Sequence, residues 1–224
     1  MGVDLASAAL WVLPLLLALV CHEFAHGYVA WRLGDDTAAR LGRLTLNPLA
    51  HLDLVGSIIM PAVLFFSGSP ILFGYAKPVP IAWQRLRHPI RDMVYVAAAG
   101  PAMNLVLAVA SAIAFGLLSR SVAPDPFVGQ DVTGMVAVTA PLAIMAWRSV
   151  VINVVLAVFN LIPIPPLDGG RVAVGLLPRG PAGVLAKLEP FGFLIVFGLL
   201  MTGTIGSVIG PVVRGVVGVL GVFM

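Results

Sequence analysis

Cys21-His22-Glu23-Phe24-Ala25-His26 sets two histidines and a glutamate into an apolar run that extends from Leu5 to Trp31. At about 1.5 Å per residue that run, as a helix, is long enough to cross a hydrocarbon core about 30 Å thick. Residues four apart share a helix face, so His22 and His26 can present two imidazoles to one metal ion. Glu23, about a hundred degrees round the helix from His22, stands beside such a metal without binding it. Zinc peptidases use this arrangement, with two histidines on the metal and the glutamate taking a proton from its water. In a soluble chain an H-E-x-x-H pattern is a weak signal. In lipid, burying three ionisable groups is costly and calls for a reason. A polar seam between helices is the competing explanation.

The rest of the composition agrees with a membrane setting. Of 224 residues, 60% are hydrophobic and 10% charged, with a mean hydropathy of +1.05; ordinary globular chains have about 45–50% apolar and about 25% charged residues. The expected fold is an all-α polytopic bundle of about five to six transmembrane helices. It is read as a single domain over residues 1–224, with a core of about 5–180 and a helical tail from 181 to 224. A net charge of +3 gives no sign of a nucleic-acid partner. Cys21 is the only cysteine, so no intrachain disulfide can form. No basic region precedes the first apolar run, which reads as a retained helix rather than a signal peptide.

Further along, residues 32–53 form a polar loop, and Leu54 to Tyr75 is apolar but broken by Gly56, Pro61 and Ser67-Gly68-Ser69-Pro70. Gly74-Tyr75-Ala76-Lys77-Pro78-Val79-Pro80 reads as extended because of its prolines, and Trp83 to Asp92 is basic. Met93 to Leu118 is a second span, carrying Gly100-Pro101-Ala102-Met103-Asn104. After a polar loop, Val132 to Leu161 is a third, with Arg148, Asn153 and Asn160. It runs into Ile162-Pro163-Ile164-Pro165-Pro166-Leu167-Asp168-Gly169-Gly170. A short segment to Leu177 and a Pro/Gly break precede an apolar tail, Phe191 to Met224, which is either one crossing or a broken pair.

Two histidines need a third protein ligand, with water in the fourth position. Asp168, His51, Glu189 and Cys21 are the candidates near the membrane. Asp168 is the best, because it follows a proline-rich break and precedes two glycines that permit close backbone approach. Its competing role is a helix N-cap. Asn104 and Asn153 read as interhelical hydrogen-bonding residues, and Arg148 and Arg214 as packing or snorkelling cations.

His22-Glu23-Phe24-Ala25-His26 and Asn160-Leu161-Ile162-Pro163-Ile164-Pro165-Pro166-Leu167-Asp168-Gly169-Gly170 together resemble the site-2 protease family of intramembrane zinc metalloproteases. Gly100-Pro101-Ala102-Met103-Asn104 looks like the family's Gly-Pro helix. Asn47-Pro48-Leu49-Ala50-His51 and Gly74-Tyr75-Ala76-Lys77-Pro78 resemble its compact prokaryotic branch, which lacks PDZ or CBS domains. The resemblance covers roughly residues 10–180. It implies that His22, His26 and Asp168 bind one Zn2+ per chain, that Glu23 is the catalytic base, and that Asn160 steadies the oxyanion. The implied partners are the bilayer and a transmembrane protein substrate, and the implied location is a prokaryotic plasma membrane. Oligomeric state and the role of His51 stay open.

A shared metal would also fix topology. The first and third spans carry ligands at their C-terminal ends, so they must run parallel, with Met93–Leu118 antiparallel to both. Residues 34–91 must then leave and return on one side, making Leu54–Tyr75 a re-entrant hairpin that turns at Ser67–Pro70. Arg32, Arg40, Arg43, Lys77, Arg85, Arg87, Arg91, Arg171, Arg179 and Lys187 fall on the ligand side, against Arg120 across the membrane. That bias places the ligands near the cytosolic face. A zinc transporter would string its ionisable groups across several spans, whereas these cluster at two helix ends. A catalytically dead adaptor of the same fold would not need the intact set.

Overall fold

The computed structural model describes residues 5–59, 63, 77–122 and 132–224; these form helices and turns, with no strand among them. The expected hairpin at Ser67–Pro70, and Gly74 to Ala76 of the extended stretch, lie outside the described residues. Helix α1 runs from Leu5 to Arg32 and is followed by a short α2, Thr37–Arg40. The long α3, Pro89–Val122, and α4, Val132–Asn160, come next. Both enclose a proline, Pro101 and Pro141, as α1 encloses Pro14, which helices in membranes tolerate. Helix α3 starts four residues before the apolar run. Pro89 suits a first helical position, where no N–H is needed, and the Asp92 carboxylate accepts from the His88 N–H at 2.8 Å to close that turn.

After Asn160 the chain turns through Leu161–Leu167 into α5, Asp168–Leu176, and α6, Arg179–Ala186. The tail is a broken pair: α7, Glu189–Met201, and α8, Thr204–Leu220. Gly203 separates them with φ +72, a left-handed conformation that suits glycine after a helix end. Among the described residues four helices are long and apolar enough to cross a membrane. A fifth crossing results if α6 and α7, bent by 69°, count together. The chain is thus an all-α polytopic membrane protein, and its described residues supply four or five of the five to six crossings expected.

Side-chain contacts fix the directions. Going up α3, Val96 meets His26 and Asn104 meets His22 and Ala18, so α3 runs against α1. Asn104 also meets Asn153, and Ser111 meets Ser149, so α3 runs against α4 as well. Helices α1 and α4 are therefore parallel, as the shared-ligand argument requires. Ala108 and Ala112 of α3 pack on Val150 and Val154 of α4 and on Leu220 of α8, all buried. Lower down, Asp35 binds the loops together by accepting from the N–H groups of Thr37 (3.0 Å) and Ala82 (2.6 Å).

Candidate metal centre

The last turns of α1 carry His22 and His26, and the first residue of α5 is Asp168, which reaches them because its helix begins right against the α4 turn. A Cβ on Gly169 would strike the Leu161 backbone, and one on Gly170 the backbone of Ile164 and Pro165. The two glycines after Asp168 thus allow the close approach the sequence suggested. Leu167, whose side chain makes no cap hydrogen bond, occupies the N-cap position, and Asp168 is the first helical residue. Its carboxylate faces the histidines instead, and its negative charge suits the first turn of α5.

Hydrogen bonding settles which nitrogen of each histidine is free. His26 Nδ1 lies 2.7 Å from the Val96 carbonyl oxygen, which can only accept, so Nδ1 donates. His22 Nδ1 lies 2.6 Å from Asn104 Oδ1 and donates likewise. In the neutral imidazoles both Nε2 atoms then carry lone pairs, and these face each other at 3.0 Å. Asp168 Oδ2 completes the triangle, 3.2 Å from His22 Nε2 and 3.3 Å from His26 Nε2. It is buried and has no hydrogen-bond donor, as expected if neither Nε2 bears a proton. Three buried acceptors this close repel one another unless a cation sits among them. A tetrahedral zinc ion with ligand bonds of about 2.0–2.1 Å has ligand–ligand edges of about 3.3 Å. The triangle fits such an ion, and it is the metal-capable group of histidines and carboxylates found among the described residues.

Gly100 makes room for the rings. A Cβ there would lie 2.6 Å from both Cε1 and Nε2 of His22, and closer still to Nε2 of His26. Glu23 is half-buried beside the two histidines, and its Oε2 accepts the Val79 backbone N–H at 2.8 Å. Asn160, at the end of α4, donates one N–H to the Leu156 carbonyl oxygen at 3.0 Å. Glu23, Asn160, His22, His26 and Asp168 all line one cavity of about 270 Å³. Pro78, Val79, Ile81, Met93 and Arg171 form its wall and are shared with a larger groove of about 640 Å³.

The other ligand candidates are elsewhere. His51 is buried and its Nε2 donates to the Thr45 carbonyl oxygen at 2.8 Å. Glu189 pairs with Arg171 at 3.4 Å, and Cys21 is half-buried outside the triangle. Gly100, Val79 and Arg171 belong to the site without having been singled out for it. The Gly-Pro motif pointed to the helix that holds Gly100, but no local pattern links position 79 to position 23.

A membrane bundle with two histidines of an H-E-x-x-H helix closed by an aspartate defines a metallopeptidase class. The chain belongs to peptidase family M50, the site-2 protease family, whose profile matches residues 10–202. It is 36% identical over 203 residues to YwhC of Bacillus subtilis (strain 168), covering 91% of this chain and 85% of that one. It is 35% identical over 205 residues to Rip2 of Mycolicibacterium smegmatis (strain ATCC 700084 / mc(2)155), covering 90% and 68%. With Rip2 of Mycobacterium tuberculosis (strain ATCC 25618 / H37Rv) the identity is 28% over 206 residues, covering 91% and 72%. All three are named, provisionally, as zinc metalloproteases. No solved structure matches the chain.

Proposed function

We propose that this chain is an intramembrane zinc endopeptidase that cuts transmembrane segments of other membrane proteins, with His22, His26 and Asp168 as the ligands of one Zn2+. What supports the reading most directly is the meeting of three metal-capable side chains, His22, His26 and Asp168, with a carboxylate and an amide around one small cavity. Zinc, when bound, supplies Lewis-acid chemistry, bringing the pKa of water toward about 7 and polarising a carbonyl.

The chain's own residues do the rest. Glu23 Oε2 is held by the Val79 N–H, which leaves Oε1 to take the proton of the attacking water and return it to the leaving amine. The Asn160 amide nitrogen has two hydrogens, one spent on Leu156, and the second is available to the oxyanion that forms on the scissile carbonyl. A helical substrate hides its peptide bonds in its own hydrogen bonds, so it must unwind locally before attack. The proline-flanked Lys77–Pro80 stretch, in no regular helix, offers an extended backbone for the unwound segment. The domain is residues 1–224, with the core at about 5–180 and the tail from 181 to 224. The bacterial relatives support a prokaryotic plasma membrane, and the concentration of Arg and Lys on the ligand side supports an active site near its cytosolic face.

The test is cleavage of membrane-spanning reporters by purified protein in detergent, with wild type beside Glu23→Gln. Wild-type cleavage should stop with a chelator and return with zinc. Glu23→Gln should keep zinc while cleavage falls by about 10²–10⁴-fold. Cleavage that survives Glu23→Gln would refute the assignment.

A further inference from the structure

His26 and His22 are fixed by different means. The partner of His26 Nδ1 is a backbone carbonyl, whereas that of His22 Nδ1 is the side chain of Asn104, which is fully buried. An amide can present either its oxygen or its nitrogen, so something must hold Asn104 with Oδ1 toward the histidine. That something can be traced along the bundle. The Ser149 carbonyl can only accept, so at 2.9 Å Asn153 must aim its Nδ2 there. Asn153 Oδ1 is thereby turned to Asn104 and accepts from its Nδ2 at 2.8 Å. The Ala18 carbonyl, 3.3 Å away, draws the same Nδ2. Asn104 Oδ1 is left facing His22 Nδ1.

We propose that Asn104 and Asn153 form a positioning relay that sets the tautomer and ring orientation of His22, and so tunes the affinity of the metal centre from the middle of the bundle. The relay begins at a backbone acceptor on α4, crosses α3 and ends on α1, with each donor and acceptor assigned by its neighbour. Without Asn104 Oδ1, the His22 proton has no acceptor at Nδ1 and can move to Nε2, where it occupies the lone pair that a metal needs. Groups that orient a metal-bound histidine are typically worth about 10–100-fold in affinity. The proposal rests on the metal-site reading of His22, but not on peptidase activity.

The experiment is zinc affinity of the detergent-purified chain by competition with a calibrated chelator, with thermal unfolding of the zinc-free protein alongside. Asn104→Ala should weaken zinc by about 10–100-fold. Asn104→Asp should restore most of the affinity, since one oxygen accepts from His22 and the other, protonated, donates to Asn153. Asn153→Ala should give a smaller loss, and the double variant should be no worse than Asn104→Ala alone, because serial members of one relay are not additive. A purely structural pair would lower the unfolding temperature and leave zinc affinity untouched. Unchanged affinity in Asn104→Ala, or losses that multiply in the double variant, would overturn the relay. Should Asn104→Ala fail to fold, Asn153→Ala and Asn104→Asp carry the same test. Failure of every version to bind zinc, wild type included, would instead sink the metal-site reading itself.

Discussion

Gly100→Ala adds one methyl group at the point where α3 lies against both imidazoles. That methyl carbon would sit 2.6 Å from two atoms of His22, about 0.8 Å inside the 3.4 Å at which ordinary contact begins. Neither ring can swing away, because each is pinned at Nδ1, at 2.6 and 2.7 Å. Either the Nε2 atoms move or α3 backs off by a similar distance. Ligand positions in a metal site tolerate about 0.2 Å, so the displacement is several times what the site can absorb. Misplacement on the order of 1 Å costs about 10²-fold in catalysis, and overpacking costs about 1–3 kcal/mol of stability. Zinc affinity by chelator competition, cleavage of a spanning reporter and thermal unfolding should therefore all fall together in Gly100→Ala. A variant with wild-type zinc affinity and full cleavage would show that the rings do not lie against α3 as described.

Three further outcomes follow from the same geometry. Asp168→Asn replaces the anionic ligand oxygen by a neutral amide, and stoichiometric zinc binding should be lost in equilibrium dialysis. Asn160→Ala should keep zinc, while kcat for reporter cleavage falls by about 10²–10³-fold, the usual cost of an oxyanion donor. Gly192→Ala places Cβ 2.5 Å from the Pro165 carbonyl carbon and from Pro166 Cδ, where backbone and ring cannot yield, whereas Gly198 in the same helix has nothing within 4 Å. The first substitution should lower the unfolding temperature and the second should not; equal effects would mean that α7 does not pack on the Pro165–Pro166 turn.

The meeting of His22, His26 and Asp168 and the parallel course of α1 and α4 were legible because local patterns marked each end of the contact. The i, i+4 spacing put His22 and His26 on one face, and the proline-rich break with Gly169 and Gly170 marked where backbone had to come close. The start of α3 at Pro89 was obscured by polar residues that belong to a helix projecting beyond its apolar run. The break at Gly203 was left undecided because several glycines in the tail offered the same freedom. Asn104 was read as an interhelical hydrogen-bonding residue, which it is. Its hold on His22 spans 82 positions in sequence, and no periodicity carries that information. The grip of the Val79 N–H on Glu23 was invisible for a further reason: a backbone donor leaves no mark on residue identity.

Ala108 and Ala112 against Val150 and Val154 form the seam where α3 meets α4. In water such small side chains would be a meagre core. Lipid tails, however, are as apolar as leucine, so sequestering larger residues from them would gain little, and helices associate by how closely their surfaces can approach. The bilayer is a competing partner for each of these surfaces, and alanine wins only by shortening the distance between helix axes. A change that a soluble core might accommodate by repacking, such as Ala108→Leu, would here act as a spacer between helices. It lies one helical turn from Asn104, so the distance it imposes would be felt first by the polar contacts that join α3 to its neighbours.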